Sequence, residues 1–470
     1  PIEVRKVDGT DLPACLALME EVINLVREER RPFLIHATVP LLGHHTSGVR
    51  REFYRDDLDD AKKRDPLTRI EKYLIDSNIL DSTSLALIKA EIDGEVNEAF
   101  DKARNAEEPV FEDLLNHRFA PTDVTEELGN RTPKGAEITL MVDCALHAMQ
   151  EIMTKHPESL LYGQDVGKRL GGVFREAATL GTKFGDDRVF NTPIQEAFII
   201  GSTVGMSCTG LKPIVEVQFA DYLWPGLNQL FSELSRSYFL SNGKWPVHSL
   251  IRVPIGAYGS GGPYHSSSIE SVLANIRGIK VAYPSNGADL KGLLKAAFYD
   301  PNPVVVLEHK GLYWSKTPGT EAAKCIEPDE DYIIPLGQAR VVQRATNKIS
   351  CSIITYGRGV YWALEAATNF PGAIEIIDLR TLVPLDFATV ASSIKRTSRC
   401  LVLTEEPVAN SFAQALSGRI AKECFEDLDA APQVIGSVEL PAIPLNESME
   451  KEVLPNAEKV SAAIGTLLDY

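Results

Sequence analysis

The chain has 470 residues, 44% hydrophobic and 24% charged, the balance of a soluble protein with several independent cores. Its formal charge of -17 and pI near 5.1 argue against a dedicated binder of nucleic acid or anionic membrane. No apolar run approaches the ~20 residues of a membrane span, no signal or transit peptide is visible, and a cytoplasmic location is expected.

The chain opens "PIEVRKVDG", without Met and inside a strand-to-turn passage, which suggests a segment upstream. Residues 10–30 carry helical periodicity with a polar start, and "PFLIHATV" reads as a strand before the loop "PLLGHHTSG". Two further helices follow, "DPLTRIEKYLID" and the long "DSTSLALIKAEIDGEVNEAFDKARNA". The polar passage 120–137, with Pro and Gly, reads as a linker between domains. From there to about 320, apolar runs of strand length alternate with helical patterns. The remainder repeats the alternation in "CSIITYG", "VYWALEAATNF", "AIEIIDLRT", "DFATVASSIK" and "RCLVLTEE". Short apolar strands between longer helices predict an α/β protein with open parallel sheets flanked by helices.

Seven cysteines (Cys15, Cys144, Cys208, Cys325, Cys351, Cys400 and Cys424) are scattered, without a Cys-x-x-Cys pair. This predicts reduced, mostly buried thiols and neither a disulfide framework nor a zinc site.

Four residues attract attention for their chemistry. In "VFNTPIQEAFIIG", Thr192 and Gln195 have capping-box spacing and Pro193 suits a first helical position. Glu196 then falls in the first turn, where the helix dipole favours a negative charge by ~0.3–1 kcal/mol. Yet a carboxylate at the mouth of an apolar run, if buried, needs a partner. His265 ends the Gly-rich loop "GAYGSGGPYH", which is neither a Walker loop nor a dinucleotide fingerprint. It is either a solvated loop residue or an acid, base or donor. His45, in "GHHTSG", has the same two readings, and no third ligand supports zinc there. Tyr222 lies just past a strand end, placed to stack on a flat ring or simply to pack.

Longer stretches around these residues carry a resemblance. "GGVFREAATLGTKFGDDRVFNTPIQEAFIIG", "VEVQFADYLWPGLNQLFSE", "GPYHSSSIESVLANIRGIKVAYPS" and "EIIDLRTLVPLD" resemble the beta subunit of the thiamin-diphosphate-dependent decarboxylating component of 2-oxo-acid dehydrogenase complexes. "VDGTDLPACLALMEEV", "PFLIHATVPLLGHHTSG" and "DPLTRIEKYL" resemble the C-terminal part of its alpha subunit. The resemblance implies an alpha–beta fusion. Residues 1–130 would be the end of an alpha-like thiamin-diphosphate domain with its linker. Residues 131–320 would be a beta-like aminopyrimidine-binding domain, and 321–470 a transketolase-like C-terminal α/β domain.

The resemblance further implies that Glu196 meets a ring nitrogen of the cofactor's aminopyrimidine and that Tyr222 packs on that ring. His265 and His45 match the beta-side and alpha-side active-site histidines. The implied activity is oxidative decarboxylation of a 2-oxo acid, a branched-chain acid such as 2-oxoisovalerate favoured over pyruvate. The acyl group would pass to the lipoyl group of an acyltransferase partner, with thiamin diphosphate and Mg2+ as cofactors. The expected assembly is a homodimer of fused chains or an equivalent heterotetramer. Departures bear on this reading. Pro40 and Leu41 stand where the family has Tyr-Arg, and Gln164 replaces an acidic residue before Asp165. The Gly-Asp-Gly…Asn-Asn motif for diphosphate and metal is absent from the chain and expected upstream of it. Two alternatives therefore stand beside the enzyme reading: a transketolase-like transferase, and a non-catalytic assembly subunit.

Overall fold

In a computed structural model that describes residues 2–46 and 48–470, the chain folds as two units, Pro1–Pro109 and Val110–Tyr470. In the first unit, strands Glu3–Asp8 and Phe33–Thr38 pair in parallel, joined by helix Leu12–Glu29. Asp11, Asp65 and Asp81 cap the three helices Leu12–Glu29, Pro66–Asp76 and Ser82–Arg104, each accepting a first-turn N–H. Two strands cannot cover much apolar surface. Among the described residues of this unit only Thr10, Val22 and Ala61 are buried. Helix Ser82–Arg104 shows the consequence, because Ile88, Ile92, Val96 and Phe100 recur every four residues along one face and are exposed.

The second unit is built on a seven-stranded sheet. Its spatial order is Thr381–Val383, Lys280–Ala282, Pro303–His309, Ser249–Ile255, Lys212–Glu216, Ser159–Gly163 and Val189–Asn191. Alternation divides each central strand between two cores. Ile251, Val253, Ile255, Val305 and Leu307 join one, whereas Leu250, Val304 and Val306 join the other. Helices Met141–Lys155 and Gly287–Tyr299 cover the second face, and helix Glu196–Cys208 lies on the first. A five-stranded sheet follows, in the order Arg340–Gln343, Ile374–Asp378, Cys351–Thr355, Cys400–Pro407 and Gln433–Ser437. The expected α/β class holds. Both sheets are parallel except for one antiparallel edge strand each, Thr381–Val383 and Arg340–Gln343. No helix among the described residues is long and apolar enough to cross a membrane.

Two local expectations change. "AIEIIDLRT" reads as one strand but breaks at Arg380, whose φ is 58°. Ile374–Asp378 stays in the five-stranded sheet, while Thr381–Val383 becomes the edge of the seven-stranded one. Arg380 donates to the buried Asp289 at 2.8 Å, a bond that rewards the left-handed turn. The helix expected from Pro193 begins instead at Glu196, with Gln195 as an N-cap lacking a side-chain bond. Thr192 lies three residues before that N-cap, where its N–H extends the parallel ladder, donating to the Gly163 carbonyl at 2.8 Å. Its hydroxyl donates to the Pro193 carbonyl.

Charges inside this core are paired or neutralised. Arg252 is fully buried and donates to Glu308 at 2.7 and 2.8 Å and to Glu216 at 2.8 Å. Burial, and then the neighbouring carboxyl of Glu176, push Glu216 well above the usual carboxylate range. Burial likewise raises Glu176, against the pull of Arg252. Lys310 is 3% exposed, and its ammonium has no hydrogen-bond partner among the described residues. It rests over the rings of Phe219 at 5.4 Å and Tyr258 at 5.6 Å. Burial pushes its pKa down to about 7, against the pull of Asp221 and Glu405.

Arg252→Met should cost about 3–5 kcal/mol in urea unfolding, because it strands buried carboxylates. A loss below about 1 kcal/mol would show that they are already neutral. An unfolded lysine titrates near ~10.4, so between about pH 7 and 10 the unfolded chain binds the extra proton and Lys310 lets stability rise with pH. Lys310→Met should therefore gain most over wild type near pH 7, with the gap closing toward pH 10. Parallel stability curves across that range would contradict the buried ammonium.

Candidate functional site

Strand Ser159–Gly163 has Val189–Asn191 on one side and Lys212–Glu216 on the other. The chain therefore leaves it in one direction and then crosses back, which opens a crevice beyond the carboxyl ends of the strands. Every segment that leaves a strand there carries a polar or aromatic side chain. Gln164 and Asp165 follow Gly163, and Glu196 follows Asn191. Gln218, Asp221 and Tyr222 follow Glu216, the loop 256–265 follows Ile255, and Lys310 follows His309.

Glu196 is the first residue of its helix and 8% exposed. Gly226 permits this position, since a Cβ there would stand 3.1 Å from the Glu196 carbonyl and 2.8 Å from Ile200. Gln164 donates from Nε2 to Glu196 Oε1 at 2.8 Å. Gln164 stands where the resembling family has an acid, and two carboxylates at this separation would have to share a proton. The amide removes that demand and leaves Glu196 Oε2 without a hydrogen bond from the described residues. Beside it, Gln218 donates to Asp165 at 2.8 Å, and Asp165 holds a left-handed φ of 60°.

Tyr222 and His265 meet directly. The Tyr222 hydroxyl lies 2.9 Å from His265 Nε2, and His265 Nδ1 lies 3.3 Å from the Gly261 carbonyl. A carbonyl only accepts, so Nδ1 carries the proton and Nε2 accepts from the phenol. Burial, followed by Asp221 and Glu196, raises the Tyr222 phenol above its ordinary value. Phe219 stands edge-on to both rings, at 5.2 Å from Tyr222 and 4.6 Å from His265.

The loop that delivers His265 is held at several points. Gly256 has φ +82°, and a Cβ there would strike His309 Nε2 at 2.3 Å. His309 Nε2 in turn lies 2.7 Å from Glu405 Oε2, and Glu405 Oε1 accepts the Ala257 N–H at 2.6 Å. Glu450 accepts the N–H groups of Gly259 at 3.0 Å and Ser260 at 2.9 Å. Asp221 accepts from the Ser267 N–H and hydroxyl just beyond the loop.

The structure thus gathers three of the residues singled out in the sequence, Glu196, Tyr222 and His265, at one sheet edge. His45 lies in the other unit, in an exposed irregular stretch. Sequence reasoning missed Gln218, Asp221, Lys310, Glu405 and Glu450. Gln218, Asp221 and Lys310 could have been found from their place just past strand ends. Glu405 and Glu450 come from about 150 to 190 residues further along the chain, and no local pattern announces them.

Comparison with known proteins agrees with this geometry. Residues 141–315 match the model described as "Transketolase, pyrimidine binding domain" and 337–460 match "Transketolase, C-terminal domain". Residues 2–112 match "Dehydrogenase E1 component". The chain is 36% identical over 332 residues to the 2-oxoisovalerate dehydrogenase subunit beta of Bacillus subtilis, covering 70% of this chain and 98% of that one. It is 35% identical over 343 residues to the subunit of the same name from Pseudomonas aeruginosa (70% and 95%). With the pyruvate dehydrogenase E1 component subunit beta of Acholeplasma laidlawii it shares 36% over 333 residues (70% and 98%). Among solved structures, a chain titled "Split gene transketolase, inactive beta4 tetramer" shares the fold at a TM-score of 0.55 and 17% identity, covering 70% of this chain and 98% of that chain.

These findings correct the expectation that the chain is itself an oxidoreductase that decarboxylates a 2-oxo acid and acylates a lipoyl group. The relatives matched nearly end to end are beta subunits. The physical reason is local: Glu196, Tyr222 and His265, the residues gathered at this sheet edge, all fall within the stretch 141–315 that matches the pyrimidine-binding domain. The chain belongs to the thiamin-diphosphate enzyme family, as a beta-type subunit related to the 2-oxo-acid dehydrogenase E1 beta subunits, with transketolase-like domains and an E1-type segment fused ahead of them.

Proposed function

We propose that this chain is an assembly subunit that supplies the aminopyrimidine wall of a thiamin-diphosphate site and does not by itself turn over a 2-oxo acid. The observation that carries this reading is the span of the match: about 70% of the chain covers nearly the whole of beta subunits, and equally the whole of a chain titled an inactive β4 tetramer. Residues 131–320 would be the pyrimidine-binding part and 321–470 the transketolase-like part. Residues 1–130 would be the alpha-like segment.

The residues fit that half of the cofactor. Glu196 keeps one carboxylate oxygen without a partner among the described residues, Tyr222 offers a ring, and His265 has its protons fixed by two bonds. Glu196 would hold a ring nitrogen, Tyr222 would pack on the ring, and His265 would hold a proton at Nδ1. When bound, thiamin diphosphate supplies an electron sink for carbanion chemistry. Its diphosphate and Mg2+ would be held by another part of the assembly, to which a lipoyl-bearing acyltransferase would also dock.

Exposed apolar surface supports assembly. Phe198 is 50% exposed only two residues beyond Glu196, close to the exposed Ile194 and Trp224. The stripe Ile88–Ile92–Val96–Phe100 is exposed on the other unit. Surfaces of this kind mark contacts with other chains. The occupant we infer is a second copy of this chain.

The full chain should sediment as an oligomer at micromolar concentration, and Phe198→Asp or Val96→Asp should each shift it to smaller species. A monomeric wild type would sink the reading, as would turnover of 2-oxoisovalerate with an artificial electron acceptor by the chain alone. Millimolar thiamin diphosphate should raise the melting temperature of the wild type but not of Glu196→Ala, whose ligand-free melting stays unchanged. An equal shift in both would remove Glu196 from the cofactor wall.

A further inference from the structure

Cys144 and Cys325 are 181 positions apart, yet their sulfurs stand 3.7 Å from each other. Cys144 is buried on helix Met141–Lys155. Cys325 is partly exposed on the short strand Cys325–Ile326, which pairs with Ile138–Thr139. Gly287 opens the helix that faces both. A Cβ at that position would lie 2.8 Å from the Cys144 sulfur and 3.0 Å from that of Cys325. The missing side chain is what lets the thiols meet. A disulfide bond is about 2.05 Å long, so closure needs the sulfurs to approach by about 1.7 Å.

We propose that Cys144 and Cys325 form a hydroperoxide-reactive dithiol that closes to a disulfide and reopens with thiol reductants. The two sulfurs differ in role. The contact with Cys144 and the nearby Arg131 guanidinium hold the Cys325 thiol below its ordinary pKa, whereas the contact with Cys325 and burial raise that of Cys144. The partly exposed Cys325 sulfur attacks, and the enclosed Cys144 thiol resolves it. Cys325 sulfur attacks one oxygen of hydrogen peroxide, the O–O bond breaks, and hydroxide leaves to become water with the Cys325 proton. The Cys144 sulfur then attacks the Cys325 sulfenic acid, the S–O bond breaks, and the departing hydroxide takes the Cys144 proton as a second water. Two thiols are oxidised to one disulfide, and one peroxide is reduced to two waters.

Closure would add a covalent stitch where polar ones already exist. Two residues beyond Cys325, Glu327 lies 2.7 Å from His147 Nδ1 and accepts from Lys291 at 3.0 Å. The disulfide would fasten the strap around residues 325–333 to helix Met141–Lys155. Of the other five thiols, Cys351, Cys400 and Cys424 are buried, Cys15 is partly exposed and Cys208 is exposed.

The test treats the folded full-length chain with equimolar hydrogen peroxide, traps free thiols, and maps peptides by mass spectrometry without reduction. Two of the seven thiols should disappear together in a linked Cys144–Cys325 peptide, return on treatment with dithiothreitol, and react faster than Cys208. Cys144→Ser should leave a dimedone-trappable sulfenic acid on Cys325. Cys325→Ser should give neither the linked peptide nor an adduct on Cys144. Oxidation of Cys208 at least as fast as the pair, or sulfinic acid on Cys325 without any linked peptide, would overturn the proposal. The wild-type peptide map decides even if a serine variant fails to fold.

Discussion

Parallel strands that alternate with helices all end on the same edge, and the rest of this molecule follows from that constraint. Residues dispersed from 164 to 310 converge because each stands just past a strand terminus. Strand Ser159–Gly163, with neighbours drawn from both sides, fixes where the crevice opens. Glu196 is held there by the backbone more than by its helix. The Gly163–Thr192 bond continues the ladder to the point where the helix must turn.

The second organising demand is the cost of burying charge. Helix Gly287–Tyr299 is buried along nearly its whole length, yet it carries Asp289, Lys291 and Lys295. Each is paired: Asp289 with Arg131 and Arg380, Lys291 with Glu151 and Glu327, and Lys295 with Glu151. Arg131 belongs to the passage read as a linker, so that passage is fastened to the core by an ion pair and by a 2.8 Å bond to the Tyr332 hydroxyl. Arg380 joins the two sheets by the same chemistry, through the turn that sends one strand segment to each. Lys310, without a hydrogen-bond partner among the described residues, is stabilised instead by ring faces and a reduced tendency to be charged.

The two units differ in how far they satisfy themselves. Val110–Tyr470 contains the three large cores, while the described residues of Pro1–Pro109 bury almost nothing and display an apolar helix face. Under the proposed assembly role, a surface of that kind and a site built from one set of strand ends would belong together, in a component completed by its partners. The wall itself is well ordered: Gln164 fixes Glu196, Gly261 and Tyr222 fix His265, and Glu405 and Glu450 fix the loop. Chemistry supplied from elsewhere would meet groups that need little rearrangement.

Much of this was legible in the chain. Apolar runs of strand length between helical periods required an α/β fold, and the position of Glu196 at the mouth of an apolar run required a buried partner. Tyr222 and His265 could be singled out because they follow strand-like runs. Legibility failed where distant segments decide the outcome. The capping spacing at Thr192 is real, but pairing with residue 163 keeps Thr192 in the extended ladder, and the helix starts only at Glu196. "AIEIIDLRT" reads as one strand, but at Arg380 the Asp378 carboxylate accepts its N–H and the buried Asp289 accepts its guanidinium, and the strand breaks there. The seven scattered cysteines gave no hint that Cys144 and Cys325 are neighbours, since a contact across 181 positions leaves no periodicity. The sequence by itself determined the layer architecture, because hydrophobic period is a local property of the chain. Only the tertiary structure decided which carboxylates, imidazoles and thiols share a partner, because pairing depends on distances between segments that no local pattern records.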